Sequence, residues 1–378
     1  MSFSEDIVYF VALSRAKNIG PIIGGRILET LKEKNIGIEC MFKDEYTIKD
    51  ILGHNVRKNI VESLLSSNIL EESRRITDWC NVNNVNIISK YGVGYPQLLN
   101  ECNDAPLVLY SKGNADVLHN QYSISVVGTR NISDYGYECT NSFIEGIHAA
   151  IPDMTIISGL AFGVDITAHR KAVTLKMPTV AVLAHGLDKV YPYQHSKDVA
   201  DIIDSGGLLL SEYPAGTNAE RFNFVARNRI IAGLSKATLV VEAGLKSGSL
   251  ITANMASNYN REIFAVPGRI GDRYSQGCND LINKMKAVLV SDASQILYYM
   301  GINIVHKVVE QRIVFESEDM PDNLLVKIIS EYQPIHINDI VHKSGWDMNR
   351  VANDIFELEL DGFIESMPGE LYIISKKQ

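Results

Sequence analysis

The sequence predicts an α/β protein whose main domain is a doubly wound, mostly parallel sheet, with a helical domain before it and a winged-helix domain after it. Three observations predict this. Between residues 84 and 300, short apolar runs recur between amphipathic segments. Most of these runs are continuous rather than alternating, as expected of strands that helices cover on both faces. Beyond an acidic, proline-bearing stretch near residue 320, three helical segments and a hairpin-like segment follow one another.

Residues 1–75 read as short helices. "DIVYFVALSRA" is amphipathic, "IGPIIGGRILETLKE" is a glycine-broken turn leading into a helix, and "IKDILGHNVRKNIVESLL" has apolar residues at helical spacing. The segment "NIGPIIGGRIL" is compatible with a helix-hairpin-helix turn, whose backbone N–H groups can meet a phosphate, and equally with a plain helical turn. Residues 69–83 read as a connecting helix. The strand-like runs are "VNIIS", "PLVLYSKG", "SISVVG", "MTIISG", "PTVAVLA", "GGLLLSE", "ATLVVEA", "EIFAVPG" and "AVLVSD", with helical segments such as "YECTNSFIEGIHAA", "DITAHRKAVTL" and "SLITANMASNYN" between them. They define the domain at 84–300. Residues 301–318 read as a linker, and 319–378 as the winged helix, built from "NLLVKIISEY", "HINDIVHKSG", "DMNRVANDIFELELDG" and the hairpin "FIESMPGELYIIS".

Charge separates these pieces. The chain carries a formal net charge of −9, and residues 319–378 hold 11 Asp/Glu against 5 Lys/Arg, a net of −6 in that piece. Phosphate binding is dominated by Lys and Arg, so a protein-contact or regulatory role suits this winged helix better than gripping DNA. Five cysteines with no C-x-x-C pair and nine histidines with no ligand spacing argue for reduced thiols and no metal site. No apolar run reaches the roughly 18 residues of a membrane span, and the first residues lack a secretory pattern, so the expected location is the cytoplasm.

In open α/β sheets ligands bind outside the carboxyl ends of the strands. The turns there, "GTRNISDYG", "SGLAFGVDITAH", "HGLDKVYP", "SEYPAGT", "EAGLKSGSLITA" and "PGRIGDRYSQGCN", nearly all carry glycine and together predict an anion-binding rim. Arg130, directly after Gly128 and Thr129, is placed to fork onto a phosphate or to pair with a carboxylate. Lys246, Ser247, Gly248 and Ser249 open another helix in the same manner. The G-x-x-x-x-G-K-[ST] spacing of a nucleoside triphosphate site and the G-x-G-x-x-G of a dinucleotide site are both absent, as is a G-x-S-x-G elbow. Asp165 and His169, one helical turn apart, suggest a contact that pins their loop rather than a triad. No catalytic set and no cofactor are expected.

The stretch "RFNFVARNRIIAGL" (221–234) interleaves Arg221, Arg227 and Arg229 with Phe222 and Phe224. Cation plus ring is the combination that holds single-stranded nucleic acid without reading its sequence. If the segment is extended, Phe222 and Phe224 lie on one side and are equally able to be core.

Taken in order, "VVGTR", "SGLAFGVDITAH", "GLDKVYP", "LLLSEYPAGT", "FNFVARNRIIAGLS", "LVVEAGLKSGSLITA", "FAVPG" and "SQGCNDLI" closely resemble the DNA-processing protein A (DprA/Smf) family over about residues 90–295. The resemblance implies an extended Rossmann-like fold, a homodimer, single-stranded DNA binding, and loading of the RecA recombinase during natural transformation. The family's basic pocket falls on Arg130, on Arg221 and Phe224 ahead of Arg227 and Arg229, and on Lys246, with Gly128, Ser158, Gly159 and Ser247 along the same rim. Thr129 replaces the serine of many members and keeps the hydroxyl. The acidic total charge implies modest affinity and steep salt sensitivity. Two other readings stay open: a nucleotide-processing enzyme of the same Rossmann-like group, whose P-G-G-x-G-T-x-x-E loop is missing here, and a nucleotide sensor.

Overall fold

A computed structural model describes residues 7–302, 323–367 and 369–375. The chain divides into two compact units, residues 1–305 and 306–378. The expected linker at 301–318 lies, beyond Ile302, outside the described residues.

The first unit begins with five helices, α1 (Ile7–Arg15), α2 (Pro21–Lys34), α3 (Glu45–Leu52), α4 (Lys58–Leu64) and α5 (Ser67–Val82). The stretch "IKDILGHNVRKNIVESLL", with its apolar residues at helical spacing, forms two helices, α3 and α4. Gly53 ends α3 at φ 91°, a backbone conformation that glycine adopts without penalty, and its N–H caps the Lys49 carbonyl. The core that these helices form is continuous with the edge of the sheet that follows. Phe10, Leu13, Ile27 and Met41 are buried together with Leu107, Val108 and Tyr110, so the helical segment is seated on the edge of the sheet that follows.

All nine apolar runs form strands: β1 (Asn86–Ser89), β2 (Val108–Gly113), β3 (Ser123–Val127), β4 (Thr155–Ser158), β5 (Thr179–Leu183), β6 (Leu208–Ser211), β7 (Ala237–Val240), β8 (Glu262–Ala265) and β9 (Val288–Leu289). They make one sheet in the order β1-β2-β6-β5-β4-β3-β7-β8-β9. Strands β3 to β9 pair in parallel. At one edge β2 pairs antiparallel with β6, and β1 antiparallel with β2, which extends the doubly wound sheet. The connecting helices are α6 (Gln97–Asn100), α7 (Asp134–Ala150), α8 (Val164–Thr174), α9 (Ser196–Asp204), α10 (Arg221–Leu234), α11 (Gly248–Asn258), α12 (Gln276–Asn283) and α13 (Ala293–Tyr299).

Alternate residues of each strand feed opposite layers, which explains the continuous apolar runs. Val127 and Ile157 join Ile230, Ile231, Leu234 and Ala253 of α10 and α11. Their neighbours Val126 and Ile156 join Phe143, Ile147 and Ala168 of α7 and α8 on the other face. Strand order reverses between β3 and β7, and α10 is the long crossover that returns the chain from β6 to the middle of the sheet. A crevice opens at such a reversal, outside the carboxyl ends of the strands.

The second unit is a winged helix: α14 (Leu324–Tyr332), α15 (Ile337–Ser344) and α16 (Met348–Leu360), with β11 (Ile364–Met367) and β12 (Leu371–Ile374) as the hairpin. A short β10 (Ile335–His336) completes a three-stranded sheet in the order β10-β12-β11. Leu325, Ile329, Ile340, Val351, Ile355 and Ile374 form its core. Two of its cations lie over its own aromatic rings: Lys343 Nζ is 3.6 Å from the Tyr332 ring centre, and the Arg350 guanidinium 3.8 Å from that of Trp346.

Candidate single-stranded nucleic-acid interface

At the strand-order reversal lies a cavity of about 590 Å³, lined by Gly128, Thr129, Arg130, Asp165, Tyr191, Arg221, Phe224, Arg227, Asn228, Ser247 and Ser249 among others. The first turns of α8, α10 and α11 supply much of this lining. Helix N-termini present unpaired N–H groups and the positive end of the peptide dipoles, so the cavity favours an anion within an acidic chain.

The turn after β3 is fastened from two sides. Thr129 N–H donates to the Glu242 carbonyl at the end of β7 (2.7 Å), and the Thr129 carbonyl accepts from Val164 N–H at the start of α8 (3.2 Å). The buried Glu242 carboxylate accepts from the backbone N–H of Ser133 (2.9 Å) and from its hydroxyl, and so ties β7 to the N-cap of α7. Arg130 is thereby presented on a rigid turn with its side chain exposed. Its guanidinium lies 5.4 Å from the ring centre of Phe224. Phe224 in turn packs against Tyr191, with ring centres 5.6 Å apart. The cation, the ring and a second ring follow one another within the cavity lining.

Phe224 reaches that place because residues 221–234 are a helix, not the extended segment considered from sequence. Phe224, Arg227, Ile231 and Leu234 recur at helical spacing and turn one face inward, overriding the two-residue alternation of the phenylalanines. The helix separates the two rings: Phe222 is 77% exposed, whereas Phe224 is half-buried at the cavity.

The three arginines part company on the same helix. Arg221 is exposed at the rim. Arg227 is buried at the floor, where Nη1 donates to the Val182 carbonyl (2.8 Å). Burial lowers its pKa to about 10, with the nearby Asp165 opposing that fall and the like charge of Arg130 adding to it. Gly159 makes room for it: a Cβ there would fall 1.7 Å from Arg227 Nη1. Arg229 faces the other way. It is buried against Glu212 in an ion pair and also donates to the Asp104 carbonyl (2.7 Å). Its partner lies 17 residues away, and no local pattern announces the pairing.

Two further expected rim residues serve the structure. Ser158 is fully buried, and its hydroxyl donates to the Val126 carbonyl (2.6 Å). Gly159 is the space-maker just described, and its N–H donates to Asp165 (3.2 Å). Lys246 is exposed on the turn before α11, beside Ser247, which caps that helix and lines the cavity. The expected cavity set is therefore brought together at Gly128, Arg130, Arg221, Phe224, Arg227 and Ser247. Gly248 and Ser249, read from sequence as part of the helix opening at 246–249, line it too. Tyr191 and Asn228 also line it and were not singled out from sequence; Tyr191 lies inside the quoted "GLDKVYP", which was the available signal.

The expected Asp165–His169 contact does not form. Asp165 accepts from the backbone N–H groups of Gly159 and Ala161, and burial raises its pKa while Arg227 opposes the rise. His169 turns instead to β5, where Nδ1 lies 2.8 Å from Thr179 Oγ1. The Thr179 proton is committed to the Ile156 carbonyl, so His169 Nδ1–H is the donor. Burial, followed by the charge of Arg227, lowers its pKa to about 3 from 6.5. The folded state therefore resists protonation that the unfolded chain accepts. Stability is fully present above 6.5 and is lost as pH falls toward 3, by about 2 kcal/mol over the first 1.5 pH units or so. Urea midpoints of His169→Gln should show a flatter acid limb than wild type. An unchanged limb would contradict the assignment.

Comparison with known proteins places the chain in a family. The sequence model of DNA recombination-mediator protein A matches residues 86–301, and that of the DprA winged helix domain matches residues 316–370. The chain belongs to the DNA recombination-mediator protein A (DprA/Smf) family. Protein Smf of Escherichia coli is 36% identical over 299 residues, covering 77% of this chain and 78% of that protein. The X-ray structure of DNA processing protein A from Streptococcus pneumoniae superposes with a TM-score of 0.64 at 34% identity, covering 79% of this chain and 98% of that one. DNA processing protein A from Helicobacter pylori, whose structure addresses its single-stranded DNA binding mode, gives a TM-score of 0.52 at 28% identity over 57% of this chain and 95% of that one. Within this family member, the crevice at the strand-order reversal is the place where sequence motifs, cations and rings coincide. Among the described residues no helix is long and apolar enough to cross a membrane.

Proposed function

We propose that this protein binds single-stranded DNA in the cavity between β3 and β7 and works as a recombination mediator that delivers the bound strand to the RecA recombinase. The observation that carries the reading is the stack of Arg130 over Phe224, backed by Tyr191 and bordered by Arg221 and Arg227. A guanidinium there forks onto a phosphate while the exposed faces of the rings take bases, a combination indifferent to sequence. Single-stranded DNA binding in the Helicobacter pylori relative supports it. On the family resemblance, the protein acts as a homodimer in the cytoplasm. The domain limits we propose are 1–75, 84–300 and 319–378, and the acidic winged helix acts as a protein-contact or regulatory module.

The role is one of binding rather than catalysis. The cavity lining offers one carboxylate, Asp165, whose oxygen is engaged by two backbone N–H groups, and no histidine or cysteine stands among the lining residues. The spacing of a G-T-x-x-E loop falls on Gly248, Ser249, Leu250, Ile251 and Thr252, which puts a buried threonine hydroxyl where the hydrolase reading needs a carboxylate. Incubation with nucleoside monophosphates should release no free base; release would favour the enzyme. The mediator reading predicts that the protein shields a labelled single strand from nuclease and speeds RecA assembly on a strand precoated with single-strand-binding protein. Nuclease protection without faster assembly would remove the loading step, and absence of both would remove the proposal.

A further inference from the structure

Beside the cavity, on the β4 and β5 side, a group of aromatic rings stands in solvent. Phe162 in the turn after β4 is 43% exposed, Tyr191 in the segment after β5 is 50% exposed, and Tyr193 is 82% exposed. Single exposed rings are ordinary, but these three are tied to one short segment, residues 191–195, that borders the site. Tyr191 packs on Phe224 inside the cavity lining. Phe162 packs edge-on against His195, with ring centres 4.7 Å apart, and His195 closes the segment that carries both tyrosines. This ledge is held from beneath. His195 is buried, with Nδ1 2.9 Å from the Leu160 carbonyl, and the Ser196 hydroxyl donates to the Tyr193 carbonyl (2.5 Å).

We infer that Tyr191, Tyr193 and Phe162 form a second, outer base-stacking subsite that receives the nucleotides of a single strand as it leaves the cavity toward β5. The inference rests on the cavity being the DNA site and adds the path the strand takes from it. A strand held at Arg130 and Phe224 meets Tyr191 next, because the Phe224 ring is in contact with it. Rings that already stand in water, on a backbone held from beneath, can take a base face without unpacking the core, and every base has such a face. A duplex keeps its bases stacked inward and cannot use the ledge, so the ledge also raises preference for single strands.

The test compares oligothymidylates of about four and about twelve nucleotides, the first filling the cavity alone and the second reaching the ledge. Binding to the intact chain is measured by fluorescence anisotropy for wild type, Tyr193→Ala, Tyr193→Phe and Phe162→Ala. The wild type should bind the longer strand more tightly. Tyr193→Ala should weaken the longer complex about fivefold to tenfold while changing the shorter one by less than about twofold, and Tyr193→Phe should restore it. Phe162→Ala should follow Tyr193→Ala. Equal effects of Tyr193→Ala on both lengths, or none on the longer, would overturn the ledge while leaving the cavity in place. A wild type that binds neither strand would overturn both. Tyr193 is mostly in solvent, so its replacement leaves folding untouched, and an unchanged melting curve verifies this.

Discussion

Replacing Arg130 by glutamate is expected to abolish single-stranded DNA binding, with a loss of at least about 100-fold at low salt, while the protein melts as wild type does. The side chain is exposed and makes no ion pair among the described residues, so the fold loses only its contact with the Phe224 ring. The complex loses a forked donor, gains a repelling carboxylate at the same turn, and loses the cation that lies over the ring. The slope of log affinity against log salt should fall by about one, the share of one phosphate contact. Arg130→Lys separates charge from shape. It keeps the charge but not the planar fork, and a loss of about tenfold is expected. Anisotropy titrations paired with thermal melts check both variants.

Arg229→Met should do the opposite, costing stability and sparing binding. Arg229 and Glu212 are both largely buried, and Arg229 alone faces the carboxylate as a cation; the second oxygen of Glu212 has no partner among the described residues. Burial already raises the Glu212 pKa and Arg229 opposes that rise. Removing the guanidinium leaves an uncompensated buried carboxylate and an unpaired Asp104 carbonyl, at a cost of about 3–5 kcal/mol. The carboxyl then takes up a proton more readily in the folded state than in the unfolded one. The deficit should therefore shrink as pH falls into the carboxylate range, and a second change, Glu212→Leu, should recover most of the loss. Urea denaturation across pH measures this, and the folded fraction should bind DNA within about twofold of wild type. A large affinity loss with intact stability would return Arg229 to the DNA site.

These two arginines show where the sequence was legible and where it was not. All nine strands of the large sheet could be read, because burial on both faces leaves the inner ones as unbroken apolar runs, most of them followed by glycine turns. The crevice was legible for the same reason, since its position follows from strand direction. The fates of Arg227 and Arg229 were not. Two residues apart on a helix, they point in different directions, and what receives each is a partner distant in sequence: Val182 and the space at Gly159 for one, Glu212 and Asp104 for the other. A local pattern carries no information on such pairings. The alternation of Phe222 and Phe224 likewise allowed an extended segment, although a three-residue window cannot compete with the helical period that Ile231 and Leu234 complete. Asp165 and His169 failed as a pair because each met a nearer partner, backbone N–H groups for the carboxylate and Thr179 for the imidazole. Tyr191 went unremarked since a tyrosine in a loop acquires meaning only from the ring it touches.

Preference of the cavity for single strands is the property on which the proposed function turns. Anisotropy of one mixed-sequence oligonucleotide, single-stranded and annealed to its complement, measured across a salt series, tests it. Tighter binding of the single strand at every salt concentration is expected, with a steep fall in affinity as salt rises and loss of the preference in Arg130→Glu. Equal affinity for strand and duplex, or binding indifferent to both salt and Arg130, would contradict it.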